Sequence, residues 1–85
     1  MNAYELTVVL DGKATATKKK KVTETVEKLV AAAKGKLGKP EDWGEINGRV
    51  FLLFPLELET KEVKNISTKL SQESDIIKQL IVRKD

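Results

Sequence analysis

The residues of this 85-residue chain that carry charge or acid–base chemistry are sixteen lysines and arginines, thirteen aspartates and glutamates, and one tyrosine, Tyr4. Histidine and cysteine are absent. That absence rules out disulfides, thiolate or imidazole metal sites, and nucleophilic catalysis by a Ser/His or Cys/His pair. No carboxylate pair or glycine-rich phosphate cradle stands in for them, so neither an enzyme, a metal, a cofactor nor a small-molecule substrate is expected. The remaining chemistry is electrostatic. Residues 1–39 carry nine lysines against four acids, a local +5, and residues 40–85 carry seven bases against nine acids, a local −2. Lys18, Lys19, Lys20 and Lys21 supply much of the excess. Such a run marks either a nucleic-acid surface or a solvated helix entry, and composition alone favours the solvated entry.

The elements that position these charges are readable from periodicity. Residues 4–10 (YELTVVL) alternate, with Tyr4, Leu6, Val8 and Leu10 on one face of a half-buried strand and Glu5, Thr7 and Val9 on the other. Thr15 or Thr17 caps a helix whose apolar stripe is Val22, Val26, Leu29, Val30 and Ala33, and Gly35 is its expected left-handed stop. A weak second strand at 36–46, interrupted by Gly38 and Pro40, belongs at a sheet edge because proline cannot donate to a ladder. Asn47-Gly48 is a type I′ turn signal. It sets Ile46 opposite Arg49, Gly44 opposite Phe51 and Trp43 opposite Leu52, which predicts a core Trp43 beside Leu37. A bulge at Gly44 would turn Trp43 to the opposite face.

The third strand, 49–58, points Val50, Leu52, Phe54, Leu56 and Leu58 at the helices. Thr60 is the expected cap of a second helix with Val63, Ile66 and Leu70 on its stripe. The last strand, 76–84 (IIKQLIVRK), places Ile76, Lys78, Leu80 and Val82 on one face and Ile77, Gln79, Ile81 and Arg83 on the other. The order β-α-β-β-α-β predicts a single ferredoxin-like α+β domain over 1–85. It has two helices on one face of a four-stranded antiparallel sheet in spatial order 4-1-3-2. The uncovered face then carries Val9, Phe51, Leu53, Ile77 and Ile81. An apolar patch of that kind marks a partner surface, and Phe51, Leu53, Ile77 and Ile81 are its candidate docking residues.

Three segments resemble the bacterial ribosomal small-subunit protein six family: residues 4–10 (YELTVVL), 41–44 (EDWG) and 75–83 (DIIKQLIVR). The resemblance spans nearly the whole chain. It implies a ferredoxin-like fold and binding of the central domain of small-subunit ribosomal RNA, in company with ribosomal small-subunit protein eighteen. The chain departs from the family where Trp43-Gly44 runs through Glu45 and Ile46 straight into Asn47-Gly48, so the long hairpin of relatives is cut to its minimum. Contacts made by that hairpin do not carry over, and Glu41, Asp42 and Glu45 become edge residues or ligands of a basic partner.

With the resemblance in hand, Tyr4, Lys78, Arg83 and Lys84 are the candidate RNA-binding residues, the bases contacting backbone phosphates. Two other classes share the topology. An acylphosphatase-like enzyme needs an Arg in the loop after the first strand, which here reads Asp11-Gly12-Lys13-Ala14. An RNA-recognition-motif-like module that binds single-stranded RNA is the stronger rival, since residues 48–54 (GRVFLLF) loosely echo its third-strand signature. Such modules stack bases on exposed aromatics of two strands, and here Phe51 faces the aliphatic Val9. No apolar run approaches a membrane span, and the Met1 end lacks a signal-peptide layout, which points to the cytoplasm.

Overall fold

The computed structural model describes residues 1–84. Strand β1 (Asn2–Asp11) is followed by helix α1 (Ala16–Ala32), strands β2 (Lys36–Leu37), β3 (Glu41–Ile46) and β4 (Arg49–Leu58), helix α2 (Thr60–Ser71) and strand β5 (Lys78–Arg83). The antiparallel sheet runs β2-β4-β1-β5, and β3 also pairs with β4. It therefore has five strands rather than the expected four. The weak second strand is two pieces: β2 pairs Lys36 and Leu37 with Glu57 and Leu56, while β3 takes the first half of β4. Gly38-Lys39-Pro40 separates them, and the break falls where Pro40 has no amide hydrogen to give.

Residues directly opposite in a ladder share a face. Tyr4, Leu6, Val8 and Leu10 of β1 oppose Leu56, Phe54, Leu52 and Val50 of β4, and this apolar row lies under the helices. Val22, Val26 and Val30 of α1 and Ile66 and Leu70 of α2 close the core from above, all buried. With about 25 cal/mol for each Å² of apolar surface removed from water, these side chains are the main stabilising term of so small a domain.

The helix ends show two departures from expectation. Thr15 does cap α1, accepting the Lys18 amide at 3.2 Å. At the other end Lys34 takes the left-handed turn, φ 59°, and the Gly35 amide reaches Val30 O at 2.9 Å. Gly35 has a different reason to be glycine: a Cβ there would stand 2.5 Å from both Glu57 O and Leu58 Cδ2, so the chain passes against β4 only without a side chain. The N-cap of α2 is Glu59, with no side-chain hydrogen bond, and Thr60 lies inside the first turn. Its hydroxyl instead accepts from Asn2 Nδ2 at 2.7 Å and from the Tyr4 hydroxyl at 3.3 Å, tying α2 to β1.

Candidate docking and RNA interface

The sheet face without helices is built by the residues that alternate with the core row. Thr7 opposes Leu53 and Leu80, Val9 opposes Phe51 and Lys78, and Glu5 opposes Pro55 and Val82. Phe51, Leu53, Val9 and Pro55 are half-buried there, while Leu80 and Val82 are 54% and 51% exposed. Val9, Thr7, Phe51, Lys78 and Leu80 line a shallow hollow in this face. Together these side chains make one apolar surface on the sheet face that the helices leave open.

Phe51 and Leu53 thus stand where the alternation of β4 placed them, but the two β5 residues of the expected set do not. Ile81 opposes Leu6 and packs on the core, under the helices. Ile77 is 49% exposed but lies in the bend before β5, where its amide donates to Val9 O at 2.9 Å. The phase is reset at that bend. Ile76 enters the core, a bend at Ile77 intervenes, and Gln79 and Ile81 then face the helices rather than the open side. Leu80 and Val82, assigned to the covered face by simple alternation from Ile76, are the open-face residues.

The four candidate RNA residues do not gather at one place. Tyr4 is only 6% exposed, its ring in the core and its hydroxyl on Thr60, so it is an anchor of α2 and leaves the RNA set. Lys78 lies at one end of β5, and Arg83 and Lys84 lie at the other, about 17–20 Å away along an extended chain. Arg83 Nη2 donates to Asn2 Oδ1 at 3.2 Å. Lys84 Nζ lies 3.3 Å from Glu5 Oε1, and its amide donates to Ala3 O.

A cation that sequence reasoning passed over completes this second end. Lys36 opposes Glu57, which opposes Ala3, so Lys36 and Lys84 sit at one level of the sheet and border one hollow with Gly38 and Pro55. In the lysine run at 18–21, three of the four ammonium groups meet two carboxylates. Lys19 lies 3.0 Å from Asp42, and Lys18 and Lys21 lie 3.6 and 3.9 Å from the two oxygens of Asp75.

Trp43 is the largest departure. Between β3 and β4 the register shifts: Asp42, not Trp43, opposes Leu52, and Gly44 opposes Phe51. Trp43 is the extra residue of a β-bulge and is 58% exposed. Asp42 makes the bulge. Its Oδ1 accepts the Gly44 amide at 2.8 Å while Oδ2 takes the Lys19 ammonium, and Gly44 adopts φ +73°. The Gly44 amide first and Lys19 second hold the Asp42 carboxyl below its ordinary pKa of 3.8. Among the described residues, no group of three or more acidic side chains comes together to hold a metal ion, and no helix is long and apolar enough to cross a membrane.

No protein-family model and no curated protein sequence matches the chain. Solved structures do. The 30S ribosomal protein S6 of Thermotoga maritima superposes with a TM-score of 0.84 at 16% identity, over 98% of this chain and 87% of that one. The C-terminal domain of the MgtC protein of Mycobacterium tuberculosis gives 0.80 at 9% identity, over 99% and 88%. An uncharacterized protein of Thermotoga maritima gives 0.65 at 16% identity, over 99% and 98%. The chain therefore has the α+β fold of a 30S ribosomal protein S6, two helices on an antiparallel sheet.

Proposed function

We propose that this chain is a structural protein of the small ribosomal subunit. On this reading it binds the central domain of small-subunit ribosomal RNA together with ribosomal small-subunit protein eighteen, acts in the cytoplasm and catalyses nothing. The observation that carries the reading is the uncovered sheet face, where Val9, Phe51, Leu53, Leu80 and Val82 form one apolar surface in a fold shared with a ribosomal protein. The fold by itself does not select a function, since it also serves as a domain of MgtC. The face does the selecting. Phe51 lies opposite Val9 rather than a second aromatic, which suits apolar side chains of a protein better than stacked bases and sets aside the single-stranded RNA module. Protein partner and RNA occupy different places: the partner sits on the apolar middle of the face, and phosphates lie at the end carrying Lys36, Arg83 and Lys84.

The test is sedimentation of the chain with a central-domain rRNA fragment, with and without the partner protein. The chain is expected to enter the RNA complex only when the partner is present. Leu53→Lys, a half-buried position outside the core row, is expected to abolish entry while leaving the circular dichroism spectrum intact. Equal entry of the chain with and without partner, or no effect of Leu53→Lys, defeats the reading.

A further inference from the structure

The two edges of the sheet are built differently. One is obstructed. There β2 is two residues long, Gly38-Lys39-Pro40 breaks the edge, Trp43 bulges it, and Glu41, Asp42 and Glu45 line it with negative charge. Each of these hinders the approach of another strand. The opposite edge, β5, has six regular residues with no proline and no bulge, and exposes Leu80 and Val82 at its middle. Among the described residues β1 is its only strand neighbour.

The hydrogen-bonding direction along β5 follows from one contact. The Lys84 amide donates to Ala3 O at 2.9 Å, and antiparallel ladders alternate, so the backbone groups of Lys78, Leu80 and Val82 face β1. Those of Gln79, Ile81 and Arg83 face away. Among the described residues no strand pairs with the side of β5 to which Gln79 and Ile81 point their backbone groups. Beside this edge runs a groove walled by Val63, Lys64 and Ser67 of α2 and floored by Gln79, Ile81 and Arg83. Among the described residues no carboxylate lines it. Gln79 is held by its Nε2, which donates to Ser67 Oγ at 2.8 Å, while its Oε1 is buried without a partner. A buried acceptor left open at a groove wall is a place for an incoming donor.

We infer that an extended segment of a partner protein adds to the free edge of β5, lying between it and α2. Its side chains alternate, with acidic residues toward Lys64 and the helix and apolar residues toward Leu80 and Val82. Backbone bonds to Gln79 and Ile81 supply the affinity, and the two rows of side chains set the specificity. The lysines at the two ends of β5 choose this occupant over a second copy of the chain. The register that joins all the outward-facing groups of two copies sets Ile81 against Ile81, and so Lys78 of each against Lys84 of the other. Like charges directly opposite are destabilising. The inference shares Leu80 and Val82 with the docking face but does not depend on the ribosomal reading, because it rests on the edge and the groove.

The experiment uses the ¹⁵N-labelled full chain and an end-blocked peptide of alternating Glu and Val, without any ribosomal component. Backbone amide shifts are expected along β5 and α2, with slowed hydrogen exchange at Gln79 and Ile81. The same peptide methylated on alternate backbone nitrogens is expected to bind about tenfold or more weakly. Lys64→Glu, an exposed change on α2, is expected to weaken the acidic peptide and to favour one with Lys in place of Glu. The inference is overturned if the acidic peptide fails to bind at about 1 mM. It is also overturned if the peptide shifts only the Phe51 and Leu53 region, or if methylation makes no difference. Slow exchange at Gln79 and Ile81 that grows with protein concentration in the absence of peptide would assign the edge to a second copy. A short oligouridine that protected the same two amides would assign it to RNA, and either result overturns the inference.

Discussion

Asp42 joins three features that lie far apart in sequence: the α1 entry through Lys19, the bulge through the Gly44 amide, and the edge strand it belongs to. Its folded carboxyl titrates below the ordinary value, so it stabilises the fold above that value, and the contribution is lost as pH falls through the lowered one. The window therefore lies below about pH 4, near and under the unfolded carboxylate value. Asp42→Asn keeps an acceptor for Gly44 but gives up the charge facing Lys19. Urea unfolding is expected to show the variant less stable by about 0.5 kcal/mol at pH 7, the scale of an exposed pair, with the gap closing as the pH falls below about 4. A gap that widened on acidification would contradict the assignment. Tyr4 makes the complementary case. Tyr4→Phe keeps the buried ring and removes only the long bond to Thr60, so it is expected to cost about 0.5–1.5 kcal/mol in urea unfolding and to leave RNA affinity unchanged.

At the scale of elements, the hairpin of β3 and β4 divides what the sequence made legible from what it did not. Asn47-Gly48 specified the turn, and Asn47 and Gly48 indeed take φ 52° and 79°. From that turn the pairing of Ile46 with Arg49 and Gly44 with Phe51 follows by counting. The count fails one residue further on, because Asp42 captures the Gly44 amide and ejects Trp43, an Asx-type contact that hydrophobic alternation cannot register. The same kind of local event hid the face of β5. Ile76 and Ile81 both belong to the core although five positions separate them, and only the bend at Ile77 makes that parity possible. Strands whose alternation runs unbroken, β1 and β4, were readable residue by residue. The consequence for Trp43 is measurable. Trp43→Ala is expected to cost well under the 3–5 kcal/mol of a buried aromatic, about 0.5 kcal/mol, and the native fluorescence is expected to be red-shifted and readily quenched by iodide. A blue-shifted, protected emission would place the ring in the core.

For the molecule as a whole, the net charge of +3 is less informative than where the fold gathers the positive charge. The densest lysine run in the sequence faces carboxylates brought from two other parts of the chain, Asp42 of β3 and Asp75 from the turn before β5. A linear reading could not foresee this, since the acids arrive only through the fold. At the far end of the open face, Lys36 and Lys84 come together from positions nearly fifty residues apart in sequence, and of their neighbours only Glu5 and Glu57 oppose them. If the RNA phosphates lie there, each neutralised contact contributes about 0.7–0.9 to the log–log salt slope. Replacing Lys36 and Lys84 together with Ala is then expected to reduce the slope by about 1.4–1.8 and to weaken binding most at low salt. Replacing Lys18 and Lys21 is expected to change the slope far less, because they stand at the entry of α1, on the helix side of the sheet and away from the open face. Filter binding of the chain and its protein partner to a central-domain rRNA fragment, at several salt concentrations, ranks the two pairs. A larger loss of slope from Lys18 and Lys21 would carry the RNA across the molecule to the entry of α1.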